Sequence, residues 1–67
     1  MSSRLTSRQE EILRWVCEGK TEAEIGVILN ISEYTVASHI QNIRERLDIN
    51  KSALLVRWAI RNQLVTA

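Results

Sequence analysis

The 67-residue chain has no proline, one cysteine, one histidine and two glycines, Gly19 and Gly26. With so few chain breakers, and with β-branched residues interleaved among Glu, Arg and Leu at helical spacing, no strand is expected and the fold class is all-α. The lone Cys17 excludes an internal disulfide and fits a reducing, cytoplasmic setting. Beside Val16 on a helix face, it reads as a buried, inert thiol rather than a nucleophile. His39 has no second His, Cys or carboxylate at ligand spacing, so no metal and no other cofactor is expected. Long apolar runs are also missing: Val27-Ile28-Leu29 and Leu54-Leu55-Val56 fall far short of the about 20 residues of a membrane span, and MSSRLTSRQ is not a signal peptide. No nucleophile–base pair or carboxylate pair converges on one face, and the chain is too short for a usual enzyme cleft, which argues against an enzyme. The net charge of +1 excludes the strongly basic footprint of a non-specific nucleic-acid binder. The charge is uneven: −1 over residues 1–31, −1 over 32–50, and +3 from Lys51 onward.

What is present is globular composition, 45% apolar and 25% charged, enough for one small domain over residues 5–67 after a short polar tail at 1–4. Thr6 with Gln9 has the spacing of a capping box, and Ile12, Leu13, Val16 and Cys17 form a helical stripe ended by Gly19, predicting a first helix over Ser7 to Glu18. Trp15 lies at the stripe's edge, where an indole covers the core margin or serves as a binding platform. Thr21 with Glu24 repeats the box, and Ile25, Ile28 and Leu29 give a second helix over Glu22 to Leu29, closed by Asn30. Gly26 in its middle costs about 1 kcal/mol of helix propensity against Ala, which marks a place where another helix comes close. Ser32 is a good N-cap for a third helix, with Ile31 plugging the corner.

The third helix organises the rest. Val36, Ile40, Ile43 and Leu47, at about 100° per residue, share one face and form its core stripe. The opposite face carries Tyr34, Ser38, Gln41, Asn42 and Glu45, with Thr35, His39 and Arg46 on one flank and Ala37 and Arg44 on the other. A polar helix face is solvated by default, but these donors and acceptors also suit base edges. A short helix, a tight turn and a longer helix of this kind form a helix-turn-helix, an arrangement shared by bundles that never touch DNA. After Asp48-Ile49-Asn50, with Asn50 as the expected cap, a fourth helix is predicted over Lys51 to Asn62. Leu55, Val56, Ala59 and Ile60 face the core with Leu64, whereas Leu54 and Trp58 lie elsewhere beside Arg57 and Arg61. That second face either awaits a partner or lets Trp58 fold over its own core.

Leu5, Thr6, Arg8, Gly19, Lys20, Thr21, Glu24, Ile25, Ile31, Ser32, Thr35, Val36, His39, Ile43, Leu47 and Leu64, in this order along nearly the whole chain, resemble the LuxR-type helix-turn-helix domain of bacterial transcription regulators. Trp15 and the Gly-Lys-Thr run are similar to its autoinducer-responsive, quorum-sensing branch. The resemblance implies a four-helix domain that binds double-stranded DNA as a homodimer, with residues 33–47 in the major groove. Residue by residue, it implies that Ala37, Ser38 and Gln41 face bases and that Ser32, Thr35, His39, Asn42 and Arg46 face phosphates. Leu54, Arg57, Trp58 and Arg61 on the C-terminal helix would make the dimer contact. An upstream sensor domain or another LuxR-type regulator is the further partner implied, and no membrane. The chain holds no ligand-binding or receiver domain, so it is expected to be an excised C-terminal part or a stand-alone small regulator.

Three residues depart from the family pattern. Ala37 replaces the usual basic residue after Thr-Val, Ser52 stands for Arg, and Gln63 stands for Gly. A missing basic residue at the groove removes a contact worth about 1 to 3 kcal/mol if it was bidentate to a base. Together with the near-neutral charge, that supports an alternative from another class: a protein-interaction module with weakened DNA binding that pairs with another regulator through its fourth helix.

Overall fold

The computed structural model describes residues 4–66, in four helices and, among the described residues, no strand. They are α1 (Ser7–Cys17), α2 (Glu22–Leu29), α3 (Glu33–Leu47) and α4 (Ser52–Arg61). Of the expected polar tail, residues 1–3 lie outside the described residues, and Arg4 is bonded to the end of α3.

Each of the first three helices starts at a side-chain cap. The Gln9 N–H donates to Thr6 Oγ1 at 3.1 Å while the Thr6 N–H donates to Gln9 Oε1 at 2.9 Å, which satisfies the buried Gln9 amide oxygen. Thr21 and Glu24 form the same pair at 2.8 and 3.1 Å. The Thr21 N–H, then the Thr21 hydroxyl, holds the Glu24 carboxyl below its usual pKa. Being lowered, this carboxyl adds stability that is in place at neutral pH and lost as pH falls through its folded value. Ser32 Oγ accepts from the Thr35 N–H at 3.0 Å. The fourth helix departs from expectation: Lys51, not Asn50, is its N-cap, with no side-chain hydrogen bond. Asn50 offers its carbonyl to Arg44 Nη1 instead, and Arg44 Nη2 donates to Ser52 Oγ at 3.0 Å. A serine accepts there where the family's arginine could not.

All four helices end alike. Gly19, Asn30, Asp48 and Gln63 have φ of 87°, 59°, 56° and 60°, and the N–H of the next residue reaches back to the carbonyl five residues before it, as in Lys20 to Trp15, Ile31 to Gly26, Ile49 to Arg44 and Leu64 to Ala59. This turn swings Ile31, Ile49 and Leu64 against the core. Gln63 therefore sits in the left-handed conformation where the family pattern has glycine. Asp48 combines that backbone cost with a negative charge at a helix C-terminus. Asp48→Gly is expected to stabilise the domain by about 1 kcal/mol, raising the melting temperature by about 4 to 8 °C. A lower melting temperature by circular dichroism would show that the aspartate is no burden.

The core comprises Leu5, Ile12, Leu13, Ile25, Val36, Ile43, Leu47, Leu55 and Ala59, and α3 packs on both α1 and α2 while α4 packs on α1. Ile40, Trp15, Val16 and Cys17 are half-buried at its edge, so Cys17 is less enclosed than expected. Burial, then Glu18, raises its thiol pKa, which keeps it protonated and a poor nucleophile.

Two apolar residues expected inside are exposed, Ile28 at 44% and Ile60 at 37%. In α2 the inward face is Ile25, Gly26 and Leu29. A Cβ on Gly26 would lie 2.7 Å from the Ile31 carbonyl oxygen and 3.3 Å from the Glu33 nitrogen, so what comes close is the backbone of the turn and of the first residue of α3. That approach rotates Ile28 outward. In α4 the inward line is Leu55 and Ala59, which leaves Val56 and Trp58 half-buried on either side and Ile60 beyond.

Candidate nucleic-acid interface

The Gly26 approach sets the turn between α2 and α3, and α3 presents its polar side to solvent. Tyr34 is 81% exposed, and Ser38, Gln41, Asn42, Glu45 and Arg46 are exposed, whereas Thr35, Ala37 and His39 are half-buried at the flanks.

Ser38 and Gln41 project on one side next to Ala37. Gln41 Nε2 donates to Glu45 Oε2 at 3.1 Å, one turn on. This orients the amide while leaving its oxygen and one N–H for a partner, the pair an adenine edge needs. On the other flank, Ser32 Oγ and Thr35 Oγ1 share one hydrogen bond at 2.8 Å, so one of their two hydroxyl hydrogens is left for an outside acceptor. Asn42, Glu45 and Arg46 line, with Gln9, a shallow concavity of about 370 Å³. Arg46 Nε donates to the Arg4 carbonyl at 2.9 Å. Beside Ala37, Arg44 is turned toward the α3–α4 connection, so it does not supply a cation at that flank.

On α4, Leu54 is 42% exposed, and with Arg57, Trp58, Arg61 and Ile49 it lines a concavity of about 310 Å³. Trp58 packs on the core on one side, as one of the two expectations has it, and lines this concavity with the other. Trp15 likewise packs on the core, and its outer edge shares a groove with Glu11, Arg14 and Glu18. Among the described residues no three His, Cys, Asp or Glu side chains cluster as a metal site, and no helix is long and apolar enough to cross a membrane.

Sequence reasoning missed Glu45 as the partner of Gln41, although its spacing of four on one helix was a usable signal. It also missed Ile49 on the α4 concavity and Arg4 beside Arg46; neither contact has a local spacing to announce it.

The family model for bacterial regulatory proteins, luxR family, matches residues 3–59. Regulatory protein SdiA of Escherichia coli is 40% identical over 60 residues, 90% of this chain and 25% of its own length. The HTH-type quorum-sensing regulator RhlR of Pseudomonas aeruginosa is 42% identical over 55 residues, 82% of this chain and 23% of its own. Transcriptional regulatory protein LiaR of Bacillus subtilis is 46% identical over 61 residues, 91% of this chain and 29% of its own. The chain thus spans about a quarter of the length of these relatives.

Proposed function

The chain belongs to the luxR family of bacterial regulatory proteins, and on that premise we propose that it binds double-stranded DNA sequence-specifically as a dimer, in cytoplasmic control of transcription. The observation that carries this reading is the outer face of α3: a row of exposed amide and hydroxyl groups on a helix pinned by the turn at Gly26. In this reading Ala37, Ser38 and Gln41 meet base edges, and Ser32, Thr35, His39, Asn42 and Arg46 meet phosphates.

The patch of Leu54, Arg57, Trp58 and Arg61 pairs two copies. It is small, and small contacts rarely offset an association cost of about 4 to 15 kcal/mol unaided. Two half-sites about one helical turn apart supply the rest by holding both domains at high effective concentration. The dimer therefore forms on DNA.

Gln41→Ala tests the base-reading assignment. Gln41 is exposed and bonded to Glu45 alone on its own helix, so the variant should fold like the parent. It should lose about 1 to 3 kcal/mol of preference at one base pair per half-site. Arg46→Ala should weaken every sequence alike. Competition with single-base variants of a bound duplex decides between them, and equal losses on all duplexes for Gln41→Ala would remove Gln41 from the reading face.

A further inference from the structure

We propose that Arg4 is a second phosphate-binding cation that acts beside Arg46 at the C-terminal end of α3, an inference that rests on DNA being the ligand of the α3 face. The two residues are 42 positions apart and joined by two hydrogen bonds: Arg46 Nε donates to the Arg4 carbonyl at 2.9 Å, and Arg4 Nη2 donates to the Arg46 carbonyl at 3.0 Å. Each guanidinium spends one N–H on the other residue's backbone. That fixes both planar forks at one place and, among the described residues, leaves the rest of each fork to an outside acceptor.

Neither charge is neutralised among the described residues. Among the described residues Arg4 and Arg46 carry no ion pair, whereas Arg8 and Glu11 are paired at 3.1 Å. Glu45 shares this flank, but its Oε2 accepts from Gln41 Nε2. Two exposed like charges held side by side repel each other, and an anion between them relieves that repulsion. The pair stands on the flank that also carries Thr35, His39 and Asn42, so a phosphate strand lying along that flank reaches both arginines.

Arg4 has a structural use as well, because the Arg46 carbonyl is among the last four of α3 and has no partner within the helix. The experiment must separate the two uses. Titrations of a mixed-sequence duplex at several salt concentrations would compare the 67-residue chain with Arg4→Ala, Arg4→Lys, Arg46→Ala and the double alanine variant. Melting temperatures would be measured in parallel. Arg4→Ala is expected to make the log–log salt slope shallower by about one unit and to weaken binding about tenfold near 0.1 M salt. Arg4→Lys should keep the slope, and the double variant should lose about two units. An unchanged slope in Arg4→Ala, whatever its melting temperature, would leave Arg4 as a helix-end cap and overturn the inference. So would a double variant with the slope of Arg46→Ala alone, since Arg4 would then act only by placing Arg46. If the parent chain shows no salt-dependent duplex binding, the proposed function falls together with the inference, an outcome distinct from the other two.

Discussion

Val36→Asp is expected to unfold the domain at room temperature or to drop its melting temperature far below the parent's. Val36 is fully buried in the cluster with Ile12, Leu13, Ile25 and Ile43. A carboxylate there has no cation or donor to meet it, and an uncompensated buried charge costs about 3 to 5 kcal/mol. The lost apolar burial adds about 1.5 kcal/mol or more. A domain of this size has about 3 to 10 kcal/mol of stability in all. Circular dichroism should therefore show a chain already unfolded, or melting far below the parent. A variant that melts like the parent would mean that α3 is turned the other way and that its polar face is not the outer one.

The next largest effect is expected from Gly26→Ala, where two forces of opposite sign compete. Helix propensity alone makes the substitution stabilising by about 1 kcal/mol. The new Cβ, however, would stand 2.7 Å from the Ile31 carbonyl oxygen. Backbone atoms cannot rotate aside as a side chain can, so the turn must open, and such overpacking costs about 1 to 3 kcal/mol or more. Ile31 is anchored by its own N–H to the Gly26 carbonyl at 2.9 Å, so opening the turn strains that bond too. A net loss of up to about 2 kcal/mol, or up to roughly 10 °C in melting temperature, is expected. The same movement shifts the start of α3, so DNA binding should fall beyond what the unfolded fraction explains. A rise in melting temperature would show that propensity wins and that the turn has room to spare.

Where the chain's signals are local, they were readable before the fold was known. Thr6 with Gln9, Thr21 with Glu24, and Ser32 are caps defined within four residues, so the starts of the first three helices follow from spacing alone. The C-terminal turns were half readable: Gly19 and Asn30 suit the left-handed conformation and mark helix ends, whereas at Asp48 and Gln63 the residue itself is a weaker signal and only the family's glycine at position 63 points to it. Those two adopt it because Ile49 and Leu64 must reach a core that exists only once the helices have packed. Asn50 failed as a cap for a similar reason: its carbonyl is taken up by Arg44 on the preceding helix. Ile28 and Ile60 were misplaced because helical periodicity defines a face but not its width. In α2 the width is set by the Gly26 contact, and in α4 by the narrow line of Leu55 and Ala59 against α1. At the candidate site, the groups on the outer side of α3 follow from the same periodicity. The Arg4–Arg46 pair does not, because 42 residues separate its halves.

The family pattern has a basic residue where Ala37 stands, and Arg44 is no substitute at that flank, because it is committed to Asn50 and Ser52. Base reading would then depend on Ser38 and Gln41, with positive charge concentrated at the Arg46 end of α3. The most direct measurement is therefore selection of bound sequences from a random duplex pool by the 67-residue chain. Dimeric, base-reading binding through α3 predicts enrichment of a two-fold symmetric motif with half-sites about one helical turn apart. A pool that emerges with no sequence enrichment would contradict it and favour a protein-interaction module pairing through α4.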